Sequence, residues 1–319
     1  MSRNSKDIAA WFPPQHPRTS GCADQSASDF SREADWPGWV PLIVLPVVPL
    51  GFQSALPAWV LMWALALALF FGCKWLTWWR CRSIESSRWR HWAYLFAWPG
   101  MDAKAFLDAS EQPAKPTLRA WIAGFIKTAF GVLLVWKVAR LIPVSQPLLA
   151  GWIGLFGLVL VLHFGTFHLL ALAWQQAGIN AQPLMRAPMM ATSLADFWGH
   201  RWNSAFNRLV QDLLFRRVHR RLNVVGATLA VFFVSGMIHD LVISVPARGG
   251  YGLPTAYFLL QGLGLLFERS ELGRKWGLRR GLAGRSFTVA VTAVPAYWLF
   301  HPPFINNVIL PMLRVIGAT

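Results

Sequence analysis

The chain alternates between long apolar runs and shorter stretches that are rich in arginine and lysine. An α-helix needs about 20 apolar residues to cross a bilayer, and four runs reach that length, near 58–79, 120–142, 148–174 and 223–246. Weaker or shorter apolar runs lie at 38–54, 253–268, 286–301 and 303–317. The pattern therefore predicts an all-α, polytopic transmembrane helix bundle of about eight spans.

Composition agrees with a membrane protein. The 319 residues are 55% hydrophobic and only 14% charged, whereas a soluble globular protein carries about 25% charged residues. Because packed spans usually form one unit, we predict a single membrane-embedded domain over residues 37–319. Residues 1–36 are rich in Ser, Pro, Asp and Arg and have no apolar core, so we predict a disordered cytosolic tail.

The net charge of +16 comes largely from three loops at 80–119, 175–222 and 269–285. These loops alternate with very short connections, in which Arg248 is the one basic residue. The positive-inside rule places the three basic loops and both termini on the cytosolic side. Since the basic residues sit between apolar runs, they favour contact with membrane lipids, and we predict no nucleic-acid partner.

Residues 193–222 carry the most regular pattern outside the spans. Ser193 is a plausible N-cap with Asp196 three residues on, and an apolar stripe recurs at spacings of three and four through Trp198, Trp202, Phe206, Leu209 and Leu213. The pattern predicts one amphipathic helix at the cytosolic interface. A basic linker that binds lipid headgroups has the same pattern, although headgroup binding requires neither the Asn nor the His of FWGHRWN.

The apolar run FFVSGMIHDLVISV (232–245) contains one adjacent titratable pair, His239 and Asp240. Such residues inside a span usually face a bundle interior or a watery cavity and carry function. Ser235 and Gly236 lie one turn before His239 and are small. They either leave space for an acyl chain or alcohol beside the ring, or mark a close helix contact.

His163 and His168 lie five residues apart and are candidate metal ligands by residue type alone. Helical ligand pairs usually sit four apart, and no carboxylate accompanies these two. We therefore predict no metal site and treat both as core or tunnel residues.

Two segments resemble signatures of the membrane-bound O-acyltransferase superfamily, in its wax-synthase-like branch. SLADFWGHRWN (193–203) is similar to the Ser-Leu-x-x-Phe-Trp-x-x-Arg-Trp-Asn signature of that branch, and SGMIHD (235–240) to its Ser-Gly-x-x-His-acidic motif. AWPGMDAKAFL, HFGTFHLLALAW and PARGGYGLPTAYFLLQG also resemble stretches of bacterial members. The acidic residue is usually Glu in the plant members and is Asp240 here.

The resemblance implies a central catalytic chamber in which a fatty acyl group passes from acyl-CoA to the hydroxyl of a lipophilic alcohol. His239 matches the buried histidine of the family, and a neutral imidazole suits removal of the hydroxyl proton. Asn203 matches its polar partner, which either stabilises the thioester oxyanion or orients the acceptor. His200 and Arg201 are candidates for the CoA phosphates. The residues expected to contact substrate are Ser235, Gly236, Trp198, His200, Arg201, Trp202 and Asp240.

The predicted function is wax-ester-type synthesis by a multi-pass enzyme of the bacterial cytoplasmic membrane, with acyl-CoA as co-substrate and no bound cofactor. Two alternatives stay open. One is acylation of another hydroxyl acceptor, such as a sterol, terpenoid, glycolipid or diacylglycerol. The other is a non-catalytic transporter or lipid-binding scaffold, for which His239 would be dispensable.

Overall fold

The structure is a computed structural model that describes residues 36–110, 112–219 and 221–319. The predicted tail therefore lies outside the described residues, apart from Trp36, which begins a helix. In the described residues every regular element is helical, and no strand is present. The prediction of an all-α fold is confirmed.

Four helices are long and apolar enough to cross a membrane, and they coincide with the four long apolar runs: Ala58–Cys81, Leu118–Leu141, Pro147–Gln176 and Val224–Ala247. The weaker runs form shorter helices, so the count of eight spans is not confirmed. These helices are Trp36–Gly51, Leu253–Arg269, Gly281–Ala293 followed by Ala296–Leu299, and Pro302–Phe304 continuing through Ile305–Ile309 to Leu310–Val315.

The remaining helices are short and lie between the apolar ones. They are Arg88–Ala97, Ala103–Leu107, Pro188–Met190, Leu194–Asp196 with Phe197–Arg201, Ser204–Val210 with Gln211–Phe215 and Arg216–His219, and Glu271–Lys275. Pro41, Pro46 and Pro49 lie inside Trp36–Gly51 without ending it. Prolines inside a helix usually kink or break it, yet this segment forms a helix of 16 residues.

Contacts between Cα atoms divide the chain into two units, and the boundary falls within Val224–Ala247, after Asp240. The first unit contains Met185–Asp240 and Gly252–Leu299. The second contains the described residues up to Leu184 together with Leu241–Tyr251 and Phe300–Thr319. The prediction of one membrane-embedded domain stays a prediction.

The core of the first unit forms where Val224–Ala247, called here the histidine helix, packs on Leu253–Arg269, called the adjacent helix. Its buried side chains are Leu194, Phe232, Tyr257, Phe258 and Leu265. Trp198 packs against this core, so the segment 193–203 is anchored on the pair of helices that includes His239.

In the second unit, Leu118–Leu141 and Pro147–Gln176 pack closely through glycines. A Cβ placed on Gly131 would lie 2.8 Å from the carbonyl oxygen of Gly157. Small residues at such a seam let two helix backbones approach, which is how helices associate in a membrane. The same unit buries Lys74, whose ammonium lies 3.4 Å from the centre of the Tyr94 ring and donates to the carbonyl oxygen of Gly100.

The predicted single amphipathic helix over 193–222 is wrong in one respect, because it breaks at Trp202 and Asn203. Trp202 is extended, with φ −95° and ψ 121°, and Asn203 has a left-handed φ of 44°. Asparagine tolerates this conformation better than most residues. The apolar stripe is therefore divided, with Trp198 before the break, Trp202 at the break and the other three members after it.

Candidate active site

The imidazole of His239 is held at one of its two nitrogens. Its Nδ1 lies 2.7 Å from the carbonyl oxygen of Ser235, one turn earlier in the same helix. A carbonyl oxygen can only accept, so Nδ1 carries the proton, and the neutral ring presents the lone pair of Nε2. No hydrogen bond to Nε2 occurs within the part of the chain that the structure describes. The half-buried ring is thus oriented with an acceptor nitrogen available for a ligand.

The carboxylate of Asp240 binds the start of the adjacent helix. One oxygen accepts from the backbone N–H of Gly252 at 2.8 Å, and the other accepts from the N–H of Thr255 at 3.1 Å and from its hydroxyl. Gly252 is the N-cap residue of that helix, whose first N–H groups have no partner within the helix. Asp240 therefore acts as a capping residue supplied by a different helix, and this contact fixes the residue that follows His239.

Gly236 lies in a close contact between the two helices. A Cβ at this position would lie 2.6 Å from the Cα of Thr255, which is closer than any stable contact. Ser235 and Gly236 were predicted either to leave space for substrate or to mark a close helix contact. In the structure Gly236 makes the close helix contact, and the carbonyl oxygen of Ser235 orients the ring of His239. Whether either residue also touches substrate stays a prediction.

Phe258 links the two predicted motifs, and sequence reasoning missed it. Its ring centre lies 4.3 Å from that of His239 and 5.8 Å from that of Trp198. The indole N–H of Trp198 also donates to Oε1 of the buried Gln261 at 3.4 Å. The stretch PARGGYGLPTAYFLLQG contains both Phe258 and Gln261. The glutamine, a polar residue within a largely apolar helix, is the sequence signal that could have identified this stretch as part of the site.

The start of the segment 193–203 is capped from two sides. Ser193 Oγ accepts from the N–H of Asp196 at 3.0 Å, which confirms the predicted N-cap. The buried carboxylate of Glu268 accepts from the N–H groups of Leu194 and Ala195, the latter at 3.3 Å. Glu268 belongs to the last turn of the adjacent helix, so each end of that helix is tied to one of the two motifs.

Arg201 makes its contacts inside the protein. Its Nε donates to Oδ2 of Asp196 at 2.6 Å, and its Nη1 donates to the carbonyl oxygens of Arg186 and Ala187 at 3.4 and 3.2 Å. His200 Nδ1 lies 3.8 Å from the other oxygen of Asp196. These contacts give Arg201 a structural task at the break, and a role toward CoA phosphate stays a prediction for both residues.

Asn203 lies at the break itself, where its N–H lies 3.3 Å from the Met185 sulfur. Near the end of the preceding helix, the carbonyl oxygens of Trp198 and Gly199 accept from the side-chain amide of Asn207 at 2.7 and 2.6 Å. No hydrogen bond joins Asn203 to His239 in the described residues. Trp202 stacks on Phe197 at a centroid distance of 5.5 Å.

A comparison with protein families agrees with the resemblance found in the sequence. Residues 181–260 match the model of the membrane bound O-acyl transferase family, a range that contains both motifs. The resemblance to this family is therefore confirmed for that segment. With the four long apolar helices, it supports an integral membrane protein.

Individual relatives each match about two fifths of the chain. The long-chain-alcohol O-fatty-acyltransferase of Simmondsia chinensis is 33% identical over 143 residues, which is 41% of this chain and 40% of that protein. The probable long-chain-alcohol O-fatty-acyltransferase 7 of Arabidopsis thaliana is 32% identical over 146 residues, 41% and 42% of the two chains. Acyl-CoA–sterol O-acyltransferase 1 of Arabidopsis thaliana is 26% identical over 137 residues, 40% and 39%.

The matched regions cover about two fifths of the length of these curated relatives. All three are plant proteins, so they do not support the predicted bacterial source.

Proposed function

From the match of residues 181–260 to the membrane bound O-acyl transferase family, we propose that this chain transfers a fatty acyl group from acyl-CoA to the hydroxyl of a lipophilic alcohol. The observation that carries the proposal is the hydrogen bond from His239 Nδ1 to the carbonyl oxygen of Ser235. It holds the ring in the tautomer whose Nε2 can accept a proton. A general base needs that lone pair.

The reaction runs in two proton movements. Nε2 of His239 takes the hydroxyl proton while the alcohol oxygen forms a bond to the thioester carbonyl carbon. The carbon–sulfur bond then breaks, the CoA thiolate leaves, and the imidazolium returns its proton to the sulfur. The products are an ester and free CoA, and His239 is again neutral. The carbonyl oxygen of Ser235 stabilises the transient positive ring through the hydrogen bond at Nδ1.

Asn203 is proposed as the second functional residue, either as donor to the thioester oxyanion or as a group that orients the acceptor. Its left-handed backbone offers a competing explanation, because a residue can be required there for φ alone. Glycine separates the two explanations, since it adopts positive φ without strain and has no amide. If the amide acts in catalysis, Asn203→Gly folds normally and loses turnover.

The acceptor is proposed to be a long-chain alcohol. Two of the relatives described above are named for such an alcohol and one for a sterol. A sterol is therefore the second candidate. Mass spectrometry of the products formed from an equimolar mixture of hexadecanol and a sterol would separate the two. Acyl-CoA is proposed to arrive from the side of the three basic loops, taken as cytosolic.

The test is release of free thiol from palmitoyl-CoA by the purified full chain, with and without hexadecanol. We expect alcohol-dependent release by the wild type, and a loss of at least about 100-fold in His239→Ala and His239→Gln, the usual size of a general-base contribution. His219→Gln, another histidine of the first unit, is the matched control and should retain turnover. Undiminished release from His239→Ala would refute the mechanism. Absence of any thioester turnover in the folded wild type would favour the non-catalytic alternative.

A further inference from the structure

A groove with aromatic walls lies in the second unit, where three helices meet. Its volume is about 530 Å³, and its lining comes from Trp36–Gly51, the end of Ala58–Cys81, and Arg88–Ala97. Carbon-rich side chains form its walls, among them Leu45, Phe71, Trp75, Trp92 and Phe96. We call this feature the aromatic groove. An apolar lining of this kind suits a hydrocarbon chain.

The aromatic groove has one polar end and one apolar end. Arg88–Ala97 runs antiparallel to the end of the preceding span, because Trp78 contacts His91 and Phe71 contacts Phe96, at centroid distances of 6.3 Å in both pairs. The seven residues from Phe71 to Trp78 correspond to about 10 Å along a helix. Arg88 and His91 therefore lie at one end of the groove, called here the mouth, and Phe71 and Phe96 lie at the other end.

The mouth offers two groups that can bind an anion. The indole N–H of Trp78 donates to Nδ1 of His91 at 3.0 Å, so Nδ1 is an acceptor and the proton of the neutral ring is on Nε2, as a further donor. The Arg88 side chain is exposed, and in the described residues it has no ion pair. A guanidinium and an imidazole N–H at one edge of an apolar groove complement a phosphate attached to an acyl chain.

We propose that the aromatic groove binds an anionic phospholipid of the surrounding bilayer, with one acyl chain between the tryptophans and the phosphate at Arg88 and His91. The groove lies at the end of a span, where clustered tryptophans are typical of the headgroup level. The loop at 80–119 is also basic, which draws anionic lipid to this side. The lining offers no set of polar side chains for a nucleotide, so a bilayer lipid fits better than acyl-CoA.

The test uses the full chain, delipidated in detergent and examined by native mass spectrometry with phosphatidylglycerol or phosphatidylcholine of identical acyl chains. We expect the wild type to bind phosphatidylglycerol preferentially. Arg88→Ala should weaken that binding about fivefold, the effect of one basic residue at about 1 kcal/mol, and should leave phosphatidylcholine binding unchanged. Arg119→Ala removes an exposed arginine from the same basic loop outside the groove and should behave as the wild type.

Leu45→Trp fills the part of the groove that is proposed to hold the acyl chain, so it should reduce binding of both lipids. Equal binding of the two lipids by the wild type, or equal effects of Arg88→Ala and Arg119→Ala, would overturn the proposal. So would displacement of phosphatidylglycerol by equimolar palmitoyl-CoA. Because the measurement is lipid bound per protein, its outcome does not depend on whether the chain transfers acyl groups.

Discussion

Replacement of Asp240 distinguishes a structural carboxylate from a chemical one. In the structure the side chain accepts three hydrogen bonds, from two backbone N–H groups and one hydroxyl at the start of the adjacent helix. Hydrogen bonds to a charged group contribute about 1.5–3 kcal/mol each, and loss of an N-cap costs about 1 kcal/mol. Since such contributions are not additive, we expect Asp240→Ala to reduce the free energy of unfolding by about 3–5 kcal/mol.

Asp240→Asn is the informative companion. Its carbonyl oxygen keeps one acceptor for the backbone N–H groups, while the amide nitrogen cannot accept. We therefore expect a loss of about 1–2 kcal/mol. The assay has two parts: unfolding in detergent followed by tryptophan fluorescence, and thiol release per mole of folded protein. Asp240→Asn should be less stable than the wild type and should keep most of its turnover at 20 °C.

Two outcomes would refute this reasoning. Wild-type stability in Asp240→Ala would show that the carboxylate does not hold the two helices together. A stable Asp240→Asn without turnover would show that the negative charge itself takes part in the reaction, as a partner of substrate or of His239.

Three further substitutions test other contacts. Gly236→Val places side-chain carbons against Thr255 and should lower the free energy of unfolding by about 1–3 kcal/mol through overpacking. The loss would be measured as a lower unfolding midpoint, and an unchanged midpoint would contradict the close contact. Arg201→Lys keeps the charge but loses the planar donor set. It should lower the free energy of unfolding by about 1–2 kcal/mol while the KM for acyl-CoA stays constant. A raised KM at normal stability would instead indicate phosphate binding. Ser244→Ala should retain turnover, and the wild type should resist fluorophosphonate, because Nε2 of His301, 3.2 Å from Ser244 Oγ, donates to that hydroxyl and cannot act as its base. Loss of turnover or labelling of Ser244 would refute that assignment.

The parts of the fold that the sequence predicts correctly depend on local patterns. The four long helices follow from apolar runs that a bilayer requires, and the cap at Ser193 follows from its own next three residues. The shorter apolar runs gave helices of 17 residues or fewer, and their length alone does not decide whether they cross a membrane.

The break at Trp202 and Asn203 could not be predicted, because periodicity continues across it. The break is held by contacts made at a distance along the chain: Arg201 reaches the carbonyl groups of residues 186 and 187, and Asn207 reaches back to residues 198 and 199. Phe258 was missed for the same reason, since its contact with His239 depends on how two helices pack. Sequence motifs identify one set of residues of the candidate site, and tertiary packing adds their partners on the adjacent helix, Phe258, Gln261 and Glu268.

Two histidines of the chain show how neighbouring backbone groups decide what an imidazole can do. In the second unit, Nδ1 of the buried His301 accepts from the N–H of Phe304 at 3.2 Å, so the proton is on Nε2, which lies 3.2 Å from Ser244 Oγ and must donate to it. That pair has the composition of a nucleophile and its base but the wrong tautomer, because a donating nitrogen cannot remove the hydroxyl proton. His239 has the opposite arrangement: a carbonyl binds its Nδ1 and Nε2 keeps the lone pair. The backbone group that binds the first nitrogen therefore separates a histidine suited to proton abstraction from one that serves the packing of the fold.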